Sequence, residues 1–460
     1  MEPPTSQIEL PPELWDYIIE ESSSDRSALR ACGLTQRAWV ATTRRHLFKA
    51  IELKGAAGCE QFLDIILSSS SIDTGITQCV CDVTLTKVRL RLDALDDREA
   101  SDIPLIEEML SRLPNIDCLR LVAVDVKCGP RKMHADDGLD EESSEKTLRP
   151  LFTLPKLRAL HLMSIVFDSP SDTMRLLAAF PQASSLQLKH VLYLPTRQPR
   201  PATSVGKAGH TMCIQELSFA ALTDTVGLLG ALRRPPFKFK FALQKLICAL
   251  FSSLDEVPVL LEVIGESEST LEELEVHCGP KSDLFEKMDL SRHSRLKSLR
   301  VAVMGMMDID SAALHPSLSP LLSRTPSSLR ALHLPVDLSL SPDGTPPWQF
   351  MDWPSLDEAL TLLHEKSALD RLRASLLRSA EGYQPLAAGG AATGIADTLR
   401  SAFRTACPSG CGRIHSWTWS RVCAGGVPLA LDTNERARQW SLLICLVVGC
   451  MLLQGFNIQF

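Results

Sequence analysis

The chain has 460 residues, of which 45% are apolar, and it carries a formal charge of −7. That length favours two units or one elongated array over a single domain, with ample apolar material for a core. Its lysines and arginines are scattered rather than striped, which leaves no footprint for nucleic acid.

Residues 1–7 are expected to be disordered. The opening MEPPTSQIEL has neither a basic start nor an apolar run, so no secretory leader is expected. The 14 cysteines stand at irregular spacings, mostly inside apolar stretches such as QCVCDVTL and KLICALF. They read as reduced, buried side chains of a cytoplasmic or nuclear protein.

The segment LPPELWDYII, residues 10–19, predicts a short amphipathic helix. Pro11 and Pro12 suit its first turn, Leu14 and Ile18 share one face, and Glu13 and Asp16 favour the positive end of the dipole. SSSD, residues 22–25, breaks this helix and offers a cap for the next one. That second helix carries Leu29 and Cys32, and Gly33 is expected to stop it. A third helical stretch, TQRAWVATTRRHLFKAI, turns Trp39 and Leu47 inward and Arg44 and Arg45 outward. Three short helices bury too little surface to stand alone, so their apolar faces need the rest of the chain or a partner.

Order and spacing here resemble an F-box, in particular the expanded F-box family of mushroom-forming fungi. Leu10, Pro11, Glu13, Leu14, Ile18, Leu29, Leu34, Arg37 and Trp39 match the family pattern. Ser22 stands where a leucine is usual, and Thr35 and Gln36 replace a Val-Cys pair. Burying the Thr35 hydroxyl would cost desolvation unless it is bonded. The resemblance covers residues 8–50. It implies that Leu10, Pro11, Leu14, Ile18, Leu29, Leu34 and Trp39 meet a Skp-type adaptor, and through it a cullin. Without the resemblance, the same residues read as a helical cap on a larger domain, with Leu10, Leu14 and Trp39 in its core.

From residue 75 a short pattern recurs: apolar, two residues, apolar, one residue, apolar. IDCLRL, LRALHL, ASSLQL, IQELSF, LQKLIC, LEELEV, LKSLRV and a second LRALHL carry it. From Leu160 the central leucine returns every 25 to 33 residues, close to the period of leucine-rich repeats. Helical stretches such as TMRLLAAF and VPVLLEVIGES lie between, so successive strands should pair in parallel. The fold class expected is α/β: a three-helix F-box followed by an irregular leucine-rich-repeat solenoid over residues 51–340. A generic α/β domain with coincidental leucines is the competing reading.

Leu119, Leu160, Leu186, Leu217, Leu246, Leu274, Leu299 and Leu332 should occupy equivalent strand positions and point into the core. Arg120, His161, Gln187, Ser218, Glu275, Arg300 and His333 should then line an exposed concave face that binds a substrate protein. The asparagine or cysteine usual three places after the last leucine is absent. Val124, Ile165, Val191 and Leu222 stand there, so the turns are expected to be irregular and held by apolar packing.

Residues 129–150 are acid-heavy and residues 194–211 basic and proline-rich; both read as flexible loops between repeats. No phosphate-cradling glycine loop, nucleophile elbow or ligand spacing stands out, so neither catalysis nor a cofactor is expected. The run CPSGCGRIH, with Cys423 downstream, matches no common zinc spacing. Residues 341–438 lose the rhythm. Residues 439–460 end in an apolar run, 442–453, that is shorter than the ~20 residues a spanning helix prefers. A tail anchor, a buried terminal element and a stretch translated beyond the authentic frame all remain open.

Together these features predict the substrate-recognition subunit of a Skp–cullin–F-box ubiquitin ligase. The rivals are a non-degradative F-box scaffold and a membrane-tethered repeat protein.

Overall fold

The structure, a computed structural model, describes residues 11–69, 75–91, 101–127, 154–193, 212–220, 222, 224–233, 239–249, 256–278, 283–303, 318–337, 353–367, 369 and 371–377. The chain forms two compact units, residues 1–243 and 244–460.

The first unit opens with helices α1 (Pro12–Glu21), α2 (Arg26–Thr35) and α3 (Val40–Phe48), with a single 3₁₀ turn, Arg37–Trp39, ahead of α3. Pro12 lies in the first turn of α1, where a missing N–H removes no intrahelical bond. Asp25 caps α2, its Oδ1 accepting from the N–H groups of Ser27 at 2.8 Å and Ala28 at 3.1 Å. Gly33 does not end α2, which runs on to Thr35. A Cβ at position 33 would meet Oγ1 of Thr43 at 2.9 Å, so this glycine permits close approach of α2 to α3. Residues 35–51 are likewise not one helix, because α3 stops at Phe48 and a strand begins at Ala50. Thr35 is exposed, and its hydroxyl donates to the Ala31 carbonyl at 2.8 Å, so no buried hydroxyl has to be compensated.

Inside this helical region the Trp15 and Trp39 rings pack at 4.5 Å between centroids, tilted by 42°, and Thr42 donates to Asp16 at 2.6 Å. Ile19 and Leu29 are enclosed. Positions 15 and 19 thus face inward on α1, with Asp16 at the edge, which turns Leu14 and Tyr17 outward.

The rest of the first unit follows in chain order. It comprises β1 (Ala50–Lys54), α4 (Gly55–Ser69), α5 (Ile76–Cys79), β2 (Asp82–Thr86), β3 (Arg89–Arg91), α6 (Ile103–Ser111), β4 (Cys118–Val122) and β5 (Asp125–Lys127). Then come β6 (Ala159–Met163), β7 (Val166–Phe167), α7 (Pro170–Ala178), β8 (Ser185–Lys189), β9 (Leu192–Tyr193), β10 (Cys213–Ala220) and α8 (Thr225–Arg233). β1, β2, β4, β6, β8 and β10 lie side by side in that order, all parallel. Where a helix is described between main strands, as from β1 to β2, β2 to β4 and β6 to β8, the crossover returns the chain to the same end of the sheet.

Register matches the leucine spacing. Val83, Leu119, Leu160, Leu186 and Leu217 form one row across the strands, and Leu85, Leu121, Leu162, Leu188 and Phe219 form the next. All ten are buried. At roughly 1.5–3 kcal/mol for each large apolar side chain removed from water, these rows dominate the stability of the unit.

The turns after these strands differ from expectation. Lys87, Ala123, Ser164 and His190, each the first residue past a main strand, share left-handed backbone with φ between 50° and 55°. Each donates its N–H to the carbonyl ending the next main strand: Lys87 to Val122, Ala123 to Met163, Ser164 to Lys189 and His190 to Ala220, at 2.9 to 3.2 Å. The residues that follow, Val88, Val124, Ile165 and Val191, are buried. The turns are therefore regular: a backbone ladder over an aliphatic row stands where an asparagine ladder is usual. Leu222 is only half-buried. Beyond each turn, β3, β5, β7 and β9 form a second, small parallel sheet.

The second unit contains most of β11 (Lys240–Ala249), then α9 (Glu256–Glu266), β12 (Glu273–Cys278), α10 (Leu284–Lys287) and β13 (Ser298–Val303). α11 (Ser319–Ser323), β14 (Ala331–Asp337), α12 (Trp353–Lys366) and β15 (Arg371–Leu377) complete it. Its strands pair in chain order and in parallel, with Leu246, Leu274, Leu299, Leu332 and Leu372 in one row. The parallel pairing does not stop at residue 340, since β15 pairs with β14 and carries the leucine row to Leu372. The loops placed at 129–150 and 194–211, the cysteines at 407, 411 and 423, and the apolar run 439–460 lie outside the described residues.

Candidate functional site

Two kinds of surface emerge: the outward side of α1 and the polar faces of the strands. On α1, Leu14 is 49% exposed and Tyr17 51% exposed, and Pro11 is also open to solvent. Leu14 and Tyr17 are one turn apart, so they form a strip that the helical region itself does not cover. Ile18 and Trp39 are half-buried beside it, and Leu34, near the end of α2, is 90% exposed. Leu10 lies outside the described residues. Leu29 is a correction. At 0% exposure it fastens α2 inside the helical region and cannot touch a partner. Tyr17 is the residue that sequence reasoning passed over; its signal was its place one turn after Leu14.

In the first unit the residues between the buried leucines share the other sheet face, with Thr84, Arg120, His161, Gln187 and Ser218 in register. They are half-buried rather than freely exposed. Arg120 pairs with Asp82 through Nη1 and donates from Nε to Nδ1 of His161 at 3.3 Å. That bond requires a neutral His161 with its proton on Nε2. Burial holds the His161 pKa below its ordinary value, the Arg120 charge adds to this, and Asp82 opposes it. Asp82 lies on the same face, two residues before Thr84, although nothing in the leucine pattern singled it out.

In the second unit Glu275, Arg300 and His333 are in register on β12, β13 and β14. Glu275 accepts from His277 at 2.6 Å and faces Nε of Arg300 at 3.4 Å. Burial pushes the Glu275 carboxyl up, but the His277 hydrogen bond and the Arg300 and His333 charges together outweigh it. Its pKa is left below the usual value. The seven residues expected on this face thus fall into two groups. Arg120, His161, Gln187 and Ser218 occupy the first unit, and Glu275, Arg300 and His333 the second. The groups carry preorganised charge rather than free side chains.

Among the described residues, no group of three His, Cys, Asp or Glu side chains is placed to hold a metal ion. No described helix is long and apolar enough to cross a membrane. No family model matches the chain, and a search of curated proteins returns no match.

Proposed function

We propose that this chain is a non-catalytic, two-ended adaptor: an F-box-like helical region docks a Skp-type protein, and a leucine-rich-repeat-like body holds a substrate. In this reading the chain is the substrate-recognition subunit of a Skp–cullin–F-box ubiquitin ligase. The observation that carries it is the strip on α1, where Pro11, Leu14 and Tyr17 stay exposed although Trp15 packs on Trp39, Asp16 accepts from Thr42 and Ile19 is buried. Large apolar groups left open on a small helical region are what a docking face requires.

The body supports the other half of the reading. Its parallel strands repeat one register, and the in-between positions present mixed charge and hydrogen-bonding groups suited to selecting one partner. Its contribution would be proximity, raising the substrate's effective concentration beside another subunit's active site. The test is pull-down of a recombinant Skp-type adaptor by the full chain and by Leu14→Asp. Capture by the wild type and loss in the variant, with unchanged thermal unfolding, supports the reading. Equal capture by both, or none by either, sinks it.

A further inference from the structure

The outward side of α1 carries charge as well as apolar surface. Glu13, Tyr17, Glu20 and Glu21 follow the spacing of one helix face, so Tyr17 sits between carboxylates on that side. All three acids are exposed, and none is ion-paired among the described residues. α1 holds no lysine or arginine to offset them. Asp16, its remaining acid, is occupied by Thr42.

The neighbouring 3₁₀ turn and α3 show the opposite sign. Arg37, Arg44 and Arg45 are exposed and unpaired among the described residues. Trp39 packs against Trp15, which sets the turn carrying Arg37 beside α1, and Thr42 on α3 donates to Asp16. Acidic groups on α1 and basic groups on the neighbouring turn and helix thus share the surroundings of one exposed apolar strip. None of these charges forms an ion pair within the helical region among the described residues.

We infer that Tyr17 is the anchor of a charge-polarised docking face, whose partner is a protein with an apolar groove bordered by basic groups toward α1 and acidic groups toward Arg44 and Arg45. This rests on the adaptor reading above and deepens it: the polarity fixes the orientation in which the adaptor seats. Exposed tyrosines that become enclosed are typical binding anchors, with a large apolar area and few rotors to immobilise. Rim charges act chiefly on the rate of encounter, and salt weakens their effect.

The experiment is surface plasmon resonance of the full chain against a recombinant Skp-type adaptor at low and high salt. Tyr17→Ala is expected to weaken binding about tenfold or more, mainly through faster dissociation, while Tyr17→Phe binds within about twofold of wild type. Arg44→Glu/Arg45→Glu and Glu20→Lys/Glu21→Lys should each slow association several-fold at low salt and converge on wild type at high salt. Failure of the wild-type chain to bind removes the adaptor reading and this inference with it. Wild-type binding with Tyr17→Ala within twofold, or with charge reversals that leave association unchanged or faster, overturns the inference alone.

Discussion

Replacing Gly33 with alanine sets two effects against each other. Alanine is the better helix former, worth about 1 kcal/mol in the interior of α2. Its methyl group, however, would stand 2.9 Å from Oγ1 of Thr43 and 3.7 Å from the Thr43 Cβ. Thr43 has little room to move. It is 1% exposed, and its hydroxyl lies 2.8 Å from the Trp39 carbonyl and 3.1 Å from that of Val40. Overpacking at such a contact costs roughly 1–3 kcal/mol, and losing the hydroxyl's hydrogen bond adds about 1. The clash therefore wins, and Gly33→Ala should destabilise the helical region by about 1–3 kcal/mol. Hydrogen-exchange mass spectrometry on peptides from α2 and α3 reads this local opening, even where the two units do not unfold in one step. In Gly33→Ala/Thr43→Ala the obstructing hydroxyl is gone, so the pair should be at least about 1 kcal/mol more stable than the sum of the single changes. Slower exchange in Gly33→Ala, or single effects that simply add, would refute the close-approach argument.

Further outcomes follow from the same contacts. Leu274→Ala should lower stability by roughly 2–5 kcal/mol in urea unfolding, since Leu274 is enclosed between Leu246 and Leu299 on the neighbouring strands. Glu275→Arg should cost roughly 1–3 kcal/mol. It strips His277 of its acceptor and sets a second cation beside Arg300. The His161 pKa is depressed in the folded chain, so between that value and the unfolded value of about 6.5 the unfolded chain binds the extra proton. Stability is therefore full above about pH 6.5 and is lost as pH falls through the folded value. His161→Gln, which keeps an acceptor for Arg120, should flatten that part of a stability-versus-pH curve. At Ala123, in left-handed backbone, thermal melts should rank glycine at or above alanine and valine well below both. A valine variant as stable as the wild type would argue against that turn.

The strand rows were legible because a two-residue alternation leaves little freedom. Once Leu160 and Leu162 are buried, His161 must take the opposite face, and the spacing of the copies carries the register from strand to strand. Asp25 was legible as a cap for a similarly local reason. Gly33 was not, because a glycine that ends a helix and one that admits a neighbour look alike until Thr43 is in place. The small sheet was hidden by its brevity, with strands of two or three residues that show no periodicity. Its positions follow from left-handed turns at Lys87, Ala123, Ser164 and His190, none of which is the glycine that would announce such a turn. The polar faces were placed correctly but misjudged in character. Sequence predicts which residues lie there; it does not predict that Arg120 is already engaged by Asp82 and His161.

The turn ladder has an evolutionary consequence. Where an asparagine side chain ties one repeat to the next, any change of that residue breaks the tie, and selection must guard it. Here the tie is an amide hydrogen that nearly every residue possesses, and a lysine, an alanine, a serine and a histidine serve equally well. Drift at these four positions is therefore close to neutral, provided proline and β-branched residues stay out. A lineage built this way could rewrite its turns within a few rounds of divergence while its backbone path stayed the same. The spacing of its leucines would then outlast every other mark of its ancestry.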